Sequence, residues 1–433
     1  MIAYNDYVFY QMPIILPWEL HHTNIFNAWG ICSFMNPIEK VTGPCLILAG
    51  AGTGKTYAIV EKIKHLIKNK IYPAKRIVCI TFSNEAANNL LLRVQKSLEE
   101  NEFPIVRTFH GFSADLLRKY GDKIGISKDF KILEPEQAMV VFNRNFKVNP
   151  LNCRRYTSTI GTAKDLGIKL EDFQGFLTNS LLKYDGVDLE KRLENLNFEL
   201  QTLHLKKEFW KKKELISELK KIKKILDIKK FALAWNAYEK LKQKGNYQDY
   251  SDLNKNALVL LEKFPEIAND FDYFVVDEFQ DTNKVQLELL INLVPHKNIS
   301  VVGDMNQSIY RFRGAYKENL NLFKNAFSVS EGDFFELSKS RRSSDKVLRT
   351  SHKLILNNYQ NKAECFLVES FDNREGEDIR VFELKNAREE ARKVVEIIQD
   401  EIKKDPLEEI CVIFRKHQYG RIIKKALEQA GIK

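Results

Sequence analysis

Lysine and arginine are absent from the first 39 residues of this chain, although 68 of them occur among its 433 positions. A leader for secretion or organelle import needs a basic start, so residues 1–39, aromatic and broken by Pro13 and Pro17, read as an atypical N-terminal extension. Long apolar runs are lacking too, and none approaches the ~18 residues that a spanning helix requires. Cysteine is scarce: six scattered residues with no C-x-x-C pair exclude a zinc ribbon or a disulfide framework. Thiols inside apolar strand-like runs point to burial in a reducing, cytoplasmic setting. Short repeats and low-complexity tracts are missing, which argues against a solenoid.

What remains is a globular composition, 44% hydrophobic, at a length that suits roughly two to four domains. Basic residues outnumber acidic ones by 68 to 58, and the net charge of +10 suits either a polyanionic partner or plain solubility. Apolar strand-like runs at 45–48 and 77–82 alternate with amphipathic helices at 57–67 and 84–98, and further strands at 273–276 and 300–302 end in polar residues. This alternation predicts an α/β fold, a parallel sheet covered on both faces. The stretch 115–246 has helical periodicity and reads as an inserted helical domain between two parts of the sheet domain, 40–114 and 247–333. Strands at 334–337, 379–384 and 410–414, interleaved with helices at 344–357, 387–403 and 419–430, predict part of a second α/β domain over 334–433.

Of the 19 glycines, Gly50, Gly52 and Gly54 crowd into one turn, Ala49-Gly50-Ala51-Gly52-Thr53-Gly54-Lys55-Thr56, between a predicted strand and a predicted helix. Such a turn aims successive backbone N–H groups at one spot, where a helix N-terminus adds positive potential, and so cradles a nucleotide phosphate. Lys55 would reach the β/γ-phosphates and the Thr56 hydroxyl would ligate Mg²⁺. The strict pattern has Gly where this chain has Ala49. Asp277 and Glu278 end the apolar run 273–276, where open α/β sheets bind their ligands. Asp277 suits Mg²⁺, and Glu278 suits the orientation and deprotonation of an attacking water. Gln307 closes another strand and suits γ-phosphate sensing, while Tyr310, Phe312 and Arg313 offer stacking planes and charge to a single strand. The same aromatics equally suit a core.

In this order the motifs resemble the UvrD/Rep/PcrA type of superfamily 1 DNA helicase, over most of 40–433. The leading Ala49 is that family's own variant. The resemblance implies RecA-like P-loop NTPase sheets, ATP with Mg²⁺, and unwinding of DNA in the 3′-to-5′ direction, with single-stranded DNA or DNA junctions as partner. It implies that Thr81, Phe82, Ser83 and Asn84, together with Thr108, Phe109, His110 and Phe112, contact single-stranded DNA. It also implies that Arg342 reaches the γ-phosphate from the second motor domain. The nucleotide contacts it implies run from Ala49, Gly50, Ala51, Gly52, Thr53 and Gly54 through Lys55, Thr56 and Tyr57 to Arg341.

The chain departs from the family at three places. No glutamine suited to reading adenine precedes the glycine turn, where Met35-Asn36-Pro37-Ile38-Glu39 stands. Arg341 replaces a stacking tyrosine and Tyr57 a common arginine, which leaves adenine selectivity open. Residues 409–415 resemble a strand in the middle of the second motor domain, and only 18 residues follow, so the expectation is a truncated motor with a second polypeptide as candidate supplier of the rest. A nucleotide-gated DNA-binding subunit and the motor part of a helicase–nuclease are the alternatives. Between 205 and 230, eleven lysines suit either a solvated helix face or contact with a DNA backbone.

Overall fold

A computed structural model describes residues 36–98, 102–146, 150–184, 187–202, 209–308, 319–362, 365–406 and 409–432. The extension through residue 35, and with it Cys32, lies outside the described residues, as do Tyr310, Phe312 and Arg313. The described residues divide into two units: 36–50 with 54–337, and 51–53 with 338–432.

The first unit opens with β1 (Pro44–Ala49), α1 (Lys55–Lys68), β2 (Ile77–Thr81), α2 (Asn84–Ser97), β3 (Ile105–Thr108) and α3 (Phe109–Tyr120). After β4 (Lys131–Ile132) come five helices, α4 (Pro135–Phe146), α5 (Pro150–Asp165), α6 (Leu170–Leu181), α7 (Leu189–Thr202) and α8 (Phe209–Lys244). The unit closes with β5 (Tyr247–Gln248), α9 (Tyr250–Lys263), β6 (Tyr273–Val276), α10 (Lys284–Leu293), β7 (Ile299–Gly303), α11 (Asn319–Phe327) and β8 (Phe334–Leu337).

Six strands form one sheet in the order β3-β2-β6-β7-β1-β8, with every pair parallel. Leu46, Val78, Ile80, Phe274, Val276 and Val301 join residues of α3, α9 and α10 in one core, while Cys45, Ile47, Cys79 and Val275 are as deeply buried. Because successive strand side chains point to opposite faces, burial of both sets means that both faces are covered, as the near-continuous apolar strands require. Strand β8, expected to open a second domain, instead pairs with β1 as the sheet edge.

The helical insert begins later than position 115, because Phe112, Leu116 and Leu117 of α3 belong to the core of the sheet. The parallel pair β4/β5 joins the two ends of the insert. Inside lie two small cores, one around Phe142, Trp235 and Tyr238, the other around Leu196, Leu215, Ile222 and Leu226. A buried ionic cluster fastens the insert to α9. The Lys164 ammonium lies 2.7 Å from Glu239, 3.1 Å from Asp249 and 2.6 Å from Asp252. That of Lys242 lies 3.0 Å from Glu239 and 2.8 Å from Asp249, and it also pairs with Asp252. Burial pulls the Lys164 ammonium toward neutrality, but Asp252, Asp249 and Glu239 outweigh it and hold the pKa well above the ordinary value.

In the second unit β9 (Lys339–Ser340) pairs in parallel with β10 (Glu369–Ser370), and α12 (Asp345–Ile355), α13 (Ala387–Lys404) and α14 (His417–Gln429) carry most of the regular structure. Helices α13 and α14 share a small core of Ala391, Val394, Ile398 and Ile423. The strands expected at 379–384 and 410–414 do not form: both segments are irregular, with Val381 72% and Ile413 53% exposed. A strand needs a hydrogen-bonded neighbour, and among the described residues neither segment has one. Cys411, expected to be a buried thiol, is exposed in the second of them, whereas Cys45, Cys79, Cys153 and Cys365 are buried.

Candidate nucleotide site

The site is built at the carboxyl ends of three adjacent strands. Leu48 of β1 stands beside Gly303 of β7, and Val276 of β6 beside Val301, so the residues following each strand emerge along one sheet edge. From β1 the chain turns through Gly52 (φ +75°) and Gly54 (φ +92°) and enters α1 at Lys55. No side chain caps the N-terminus of α1, so its leading N–H groups retain the anion-binding character of an open helix end. Within the second unit, Gly52 O accepts from the Arg341 N–H at 2.9 Å and Ala51 O from the Ser340 hydroxyl at 2.9 Å. A Cβ at position 52 would stand 2.5 Å from the Arg342 Cβ, so only glycine fits there.

After β6 come the two carboxylates. Asp277 is half-buried and has its acid pushed up to about 6, first by desolvation and then by the neighbouring Glu278 charge, with Lys55 pulling the other way. Its Oδ1 accepts from the Glu278 N–H at 2.9 Å. Glu278 adopts left-handed backbone geometry, φ +50° and ψ +44°, which costs a non-glycine residue on the order of 1–2 kcal/mol. The carboxylate of Glu278 meets the Lys55 ammonium at 3.1 Å. Gln280 Nε2 donates to the same carboxylate at 2.6 Å, and Gln280 Oε1 accepts from the Asp304 N–H at 3.0 Å. Gln307 Nε2 donates to the Asp304 carboxylate at 2.8 Å. Lys55, Glu278, Gln280, Asp304 and Gln307 thus form one polar chain across the ends of β1, β6 and β7.

Gln280, Gly303 and Asp304 carried no role in the sequence reading. Gln280 bridges the acidic strand end to Asp304, and Gly303 makes room for it, since a Cβ there would meet Gln280 Oε1 at 2.7 Å. A glycine directly before the polar residue that ends an apolar strand was the available signal. The donor set fits a magnesium–nucleotide complex on two observations. Desolvation leaves the Asp277 carboxylate in need of a cation, and the uncapped α1 terminus beside Lys55 needs an anion. Thr56 is the second residue of α1 and is half-buried.

Among the residues expected to touch DNA, Phe82 is 39% exposed and Asn84, at the start of α2, is exposed as well. Ser83 caps α2 by accepting from the Ala86 N–H at 3.1 Å, and buried Thr81 donates to Ser83 O at 3.1 Å. Thr108 caps α3 by accepting from the Gly111 N–H at 3.1 Å. Phe112, 2% exposed, packs edge-on against Phe271 and Phe274, and Phe109 is buried in the same core. Both rings thus belong to the sheet core, at two positions where the resemblance implies contact with single-stranded DNA. Burial lowers the His110 pKa to about 4, with Asp249 opposing, so His110 is neutral near pH 7 and offers no charge to a phosphate. Arg341 lies over the Phe371 ring at 4.1 Å from its centroid.

A parallel sheet with a glycine loop at one strand end and a carboxylate pair at another, joined through Lys55, defines a RecA-like P-loop nucleotide-binding protein. The family model of the UvrD/REP helicase N-terminal domain matches residues 33–328 and that of the UvrD-like helicase C-terminal domain matches residues 335–433, so the chain belongs to the UvrD/REP helicase family. It is 30% identical over 409 residues to the ATP-dependent DNA helicase Rep of Buchnera aphidicola subsp. Acyrthosiphon pisum, covering 92% of this chain and 56% of that protein. It is 27% identical over 404 residues to the ATP-dependent DNA helicase PcrA of Staphylococcus aureus, covering 91% of this chain and 49% of that protein. The chain therefore spans about half the length of the curated relatives it matches. No described helix is long and apolar enough to cross a membrane.

Proposed function

We propose that the chain is the ATP-hydrolysing motor of a cytoplasmic DNA helicase that moves 3′ to 5′ along single-stranded DNA. The observation that carries this reading is the Lys55 to Glu278 contact at 3.1 Å, which supports one site shared by a phosphate-binding lysine and a water-activating carboxylate. Lys55 and the N–H groups at the start of α1 bind the phosphates, and Thr56 and Asp277 would hold Mg²⁺, which would supply charge neutralisation at the phosphates. Entering phosphate competes with Glu278 for the Lys55 ammonium. Once released, Glu278 orients the attacking water and takes its proton. Gln307 reads the γ-phosphate, and the polar chain through Asp304 and Gln280 carries that state to Glu278. Arg342 adds positive charge to the transition state, and Phe82, Ser83 and Asn84 contact the single strand.

The test is phosphate release by the purified chain with and without single-stranded DNA, together with strand separation on duplexes tailed at the 3′ or the 5′ end. DNA-stimulated turnover that disappears in Lys55→Ala, with preference for the 3′ tail, supports the proposal. Nucleotide binding without turnover would replace it with a nucleotide-gated DNA-binding subunit.

A further inference from the structure

Ser340 ends β9 and is fully buried. Its backbone pairs with Ser370 of β10, and its C=O accepts from the Phe371 N–H at 2.8 Å. A serine in that position needs partners for its hydroxyl, and this one has three. The Oγ donates to Ala51 O at 2.9 Å and accepts from the N–H groups of Ser343 at 3.3 Å and Arg342 at 3.4 Å. Residues 51–53 belong to the same unit as β9, so one buried hydroxyl joins the glycine turn to the backbone of Arg342.

The peptide groups on both sides of Arg342 are held. Its N–H goes to Ser340, and its C=O accepts from Arg374 Nη2 at 3.3 Å. Arg374 is anchored in turn: its N–H donates to the Ser370 hydroxyl at 3.3 Å, and its C=O accepts from the Asp345 N–H at 2.8 Å. Beside them the Arg341 N–H donates to Gly52 O at 2.9 Å, and a Cβ on Gly52 would stand 2.6 Å from Ser340 Oγ and 3.3 Å from the Arg342 N. The Arg342 side chain is different. It is exposed, and among the described residues its guanidinium has no ion-pair or hydrogen-bond partner. By contrast, Arg341 lies over Phe371, Arg349 stands 3.8 Å from Asp345 and Arg374 stands 3.9 Å from Asp372. A fixed backbone therefore carries an uncommitted charge.

We infer that Ser340 is a positioning residue for Arg342, tying its backbone to the glycine turn so that the guanidinium meets a phosphate held at that turn from a fixed base. An arginine side chain loses rotamer freedom when it engages a phosphate, and any freedom in its backbone adds to that loss. Ordering the backbone beforehand confines the cost to the side-chain torsions and keeps the charge where the phosphoryl group moves. Alanine at position 340 strips Ala51 O and two N–H groups of their shared partner and releases that order.

This inference rests on the reading of the chain as an ATP-hydrolysing motor with Arg342 at the γ-phosphate, and the experiment separates the two. The affinity of the full chain for ADP with aluminium fluoride, a mimic of the transferring phosphoryl group, is compared with that for ADP alone by displacement of a fluorescent ADP analogue, beside single-turnover phosphate release from ATP. Arg342→Ala is expected to reduce the preference for the mimic by about 10²-fold or more and Ser340→Ala by about tenfold, while ADP affinity stays within about threefold. In the Arg342→Ala background, Ser340→Ala should change the preference by less than about twofold, the signature of two residues acting as a unit. A merely structural serine gives additive losses, or a fall in ADP affinity equal to that for the mimic, and either result overturns the inference. So does an Arg342→Ala chain with undiminished preference, since Ser340 then positions nothing. Circular dichroism melting checks folding; where Ser340→Ala fails to melt cooperatively, Arg374→Met, which frees the Arg342 carbonyl without touching the glycine turn, carries the same cycle. An Arg342-dependent preference without phosphate release overturns the motor reading and leaves the Ser340 assignment standing. A chain that binds no nucleotide overturns both.

Discussion

The Lys55 ammonium lies 3.1 Å from the Glu278 carboxylate although 223 positions separate them in the chain. Each group neutralises the other at the place where the proposed function requires a triphosphate and its attacking water to be received. Glu278→Gln is expected to lower the rate of ATP hydrolysis by about 10²–10⁴, the worth of a positioned general base. ATP analogue binding should be retained or strengthened a few-fold, because Lys55 loses its competing carboxylate. Single-turnover phosphate release and equilibrium fluorescence titration measure the two effects.

Gln280 holds Glu278 at 2.6 Å and accepts from the Asp304 backbone at 3.0 Å. One hydrogen bond to a charged group is worth about 1.5–3 kcal/mol, so Gln280→Ala should slow turnover by roughly 10- to 100-fold. Nucleotide affinity should change by less than twofold, since Gln280 touches the base and not the phosphate-binding lysine. A kcat measured beside a Kd distinguishes this from a general loss of structure.

Gly52 carries φ +75°, and its missing side chain leaves the space that the Arg342 Cβ approaches. Gly52→Ala combines left-handed strain of about 1–2 kcal/mol with a backbone shift of the glycine turn. ATP analogue binding should fall at least tenfold while thermal unfolding of the helical insert is unchanged. Equilibrium titration with circular dichroism melting checks both.

Lys242 is 2% exposed among Glu239, Asp249 and Asp252. Lys242→Met leaves three carboxylates to the single ammonium of Lys164, and removal of one partner from a buried pair typically costs about 3–5 kcal/mol. Urea unfolding should show that loss as a lower midpoint, with early protease cleavage between the insert and α9.

His110 is held neutral by burial, its pKa lowered to about 4, against an unfolded value near 6.5. Between those pH values the unfolded chain binds the extra proton, so stability declines as pH falls through that window and recovers as it rises. The slope contributed is at most about 1.4 kcal/mol per pH unit. In His110→Gln this share of the pH dependence should vanish, read as the difference between urea midpoints of the two proteins at pH 5 and pH 7.

Much of the sheet was legible because its strands are short apolar runs ending in polar residues, and β1, β2, β6 and β7 fall where those runs lie. The runs at 379–384 and 410–414 look the same in sequence, yet they form no strand, because pairing depends on a neighbour that local composition does not encode. Phe82 and Phe112 are equally aromatic residues near motif ends; one is exposed and the other packs between Phe271 and Phe274. The Gln280 bridge was hidden because it joins residues from two strands, and the left-handed backbone of Glu278 because glutamate carries no conformational signal of the kind glycine does.

The sequence by itself determined the chemistry carried by short segments: a glycine turn that offers N–H groups to phosphate, a lysine and a threonine at a helix start, and two carboxylates after a buried strand. Those properties depend on neighbours a few residues away, within the reach of backbone geometry. Tertiary structure decided which of them act together. The parallel register of β1 on β7 and of β6 on β7 brings Lys55 to Glu278, and packing against α9 and β6 buries Phe112. Sheet register and burial are set by the sum of many distant apolar contacts, a quantity that no short stretch of residues contains.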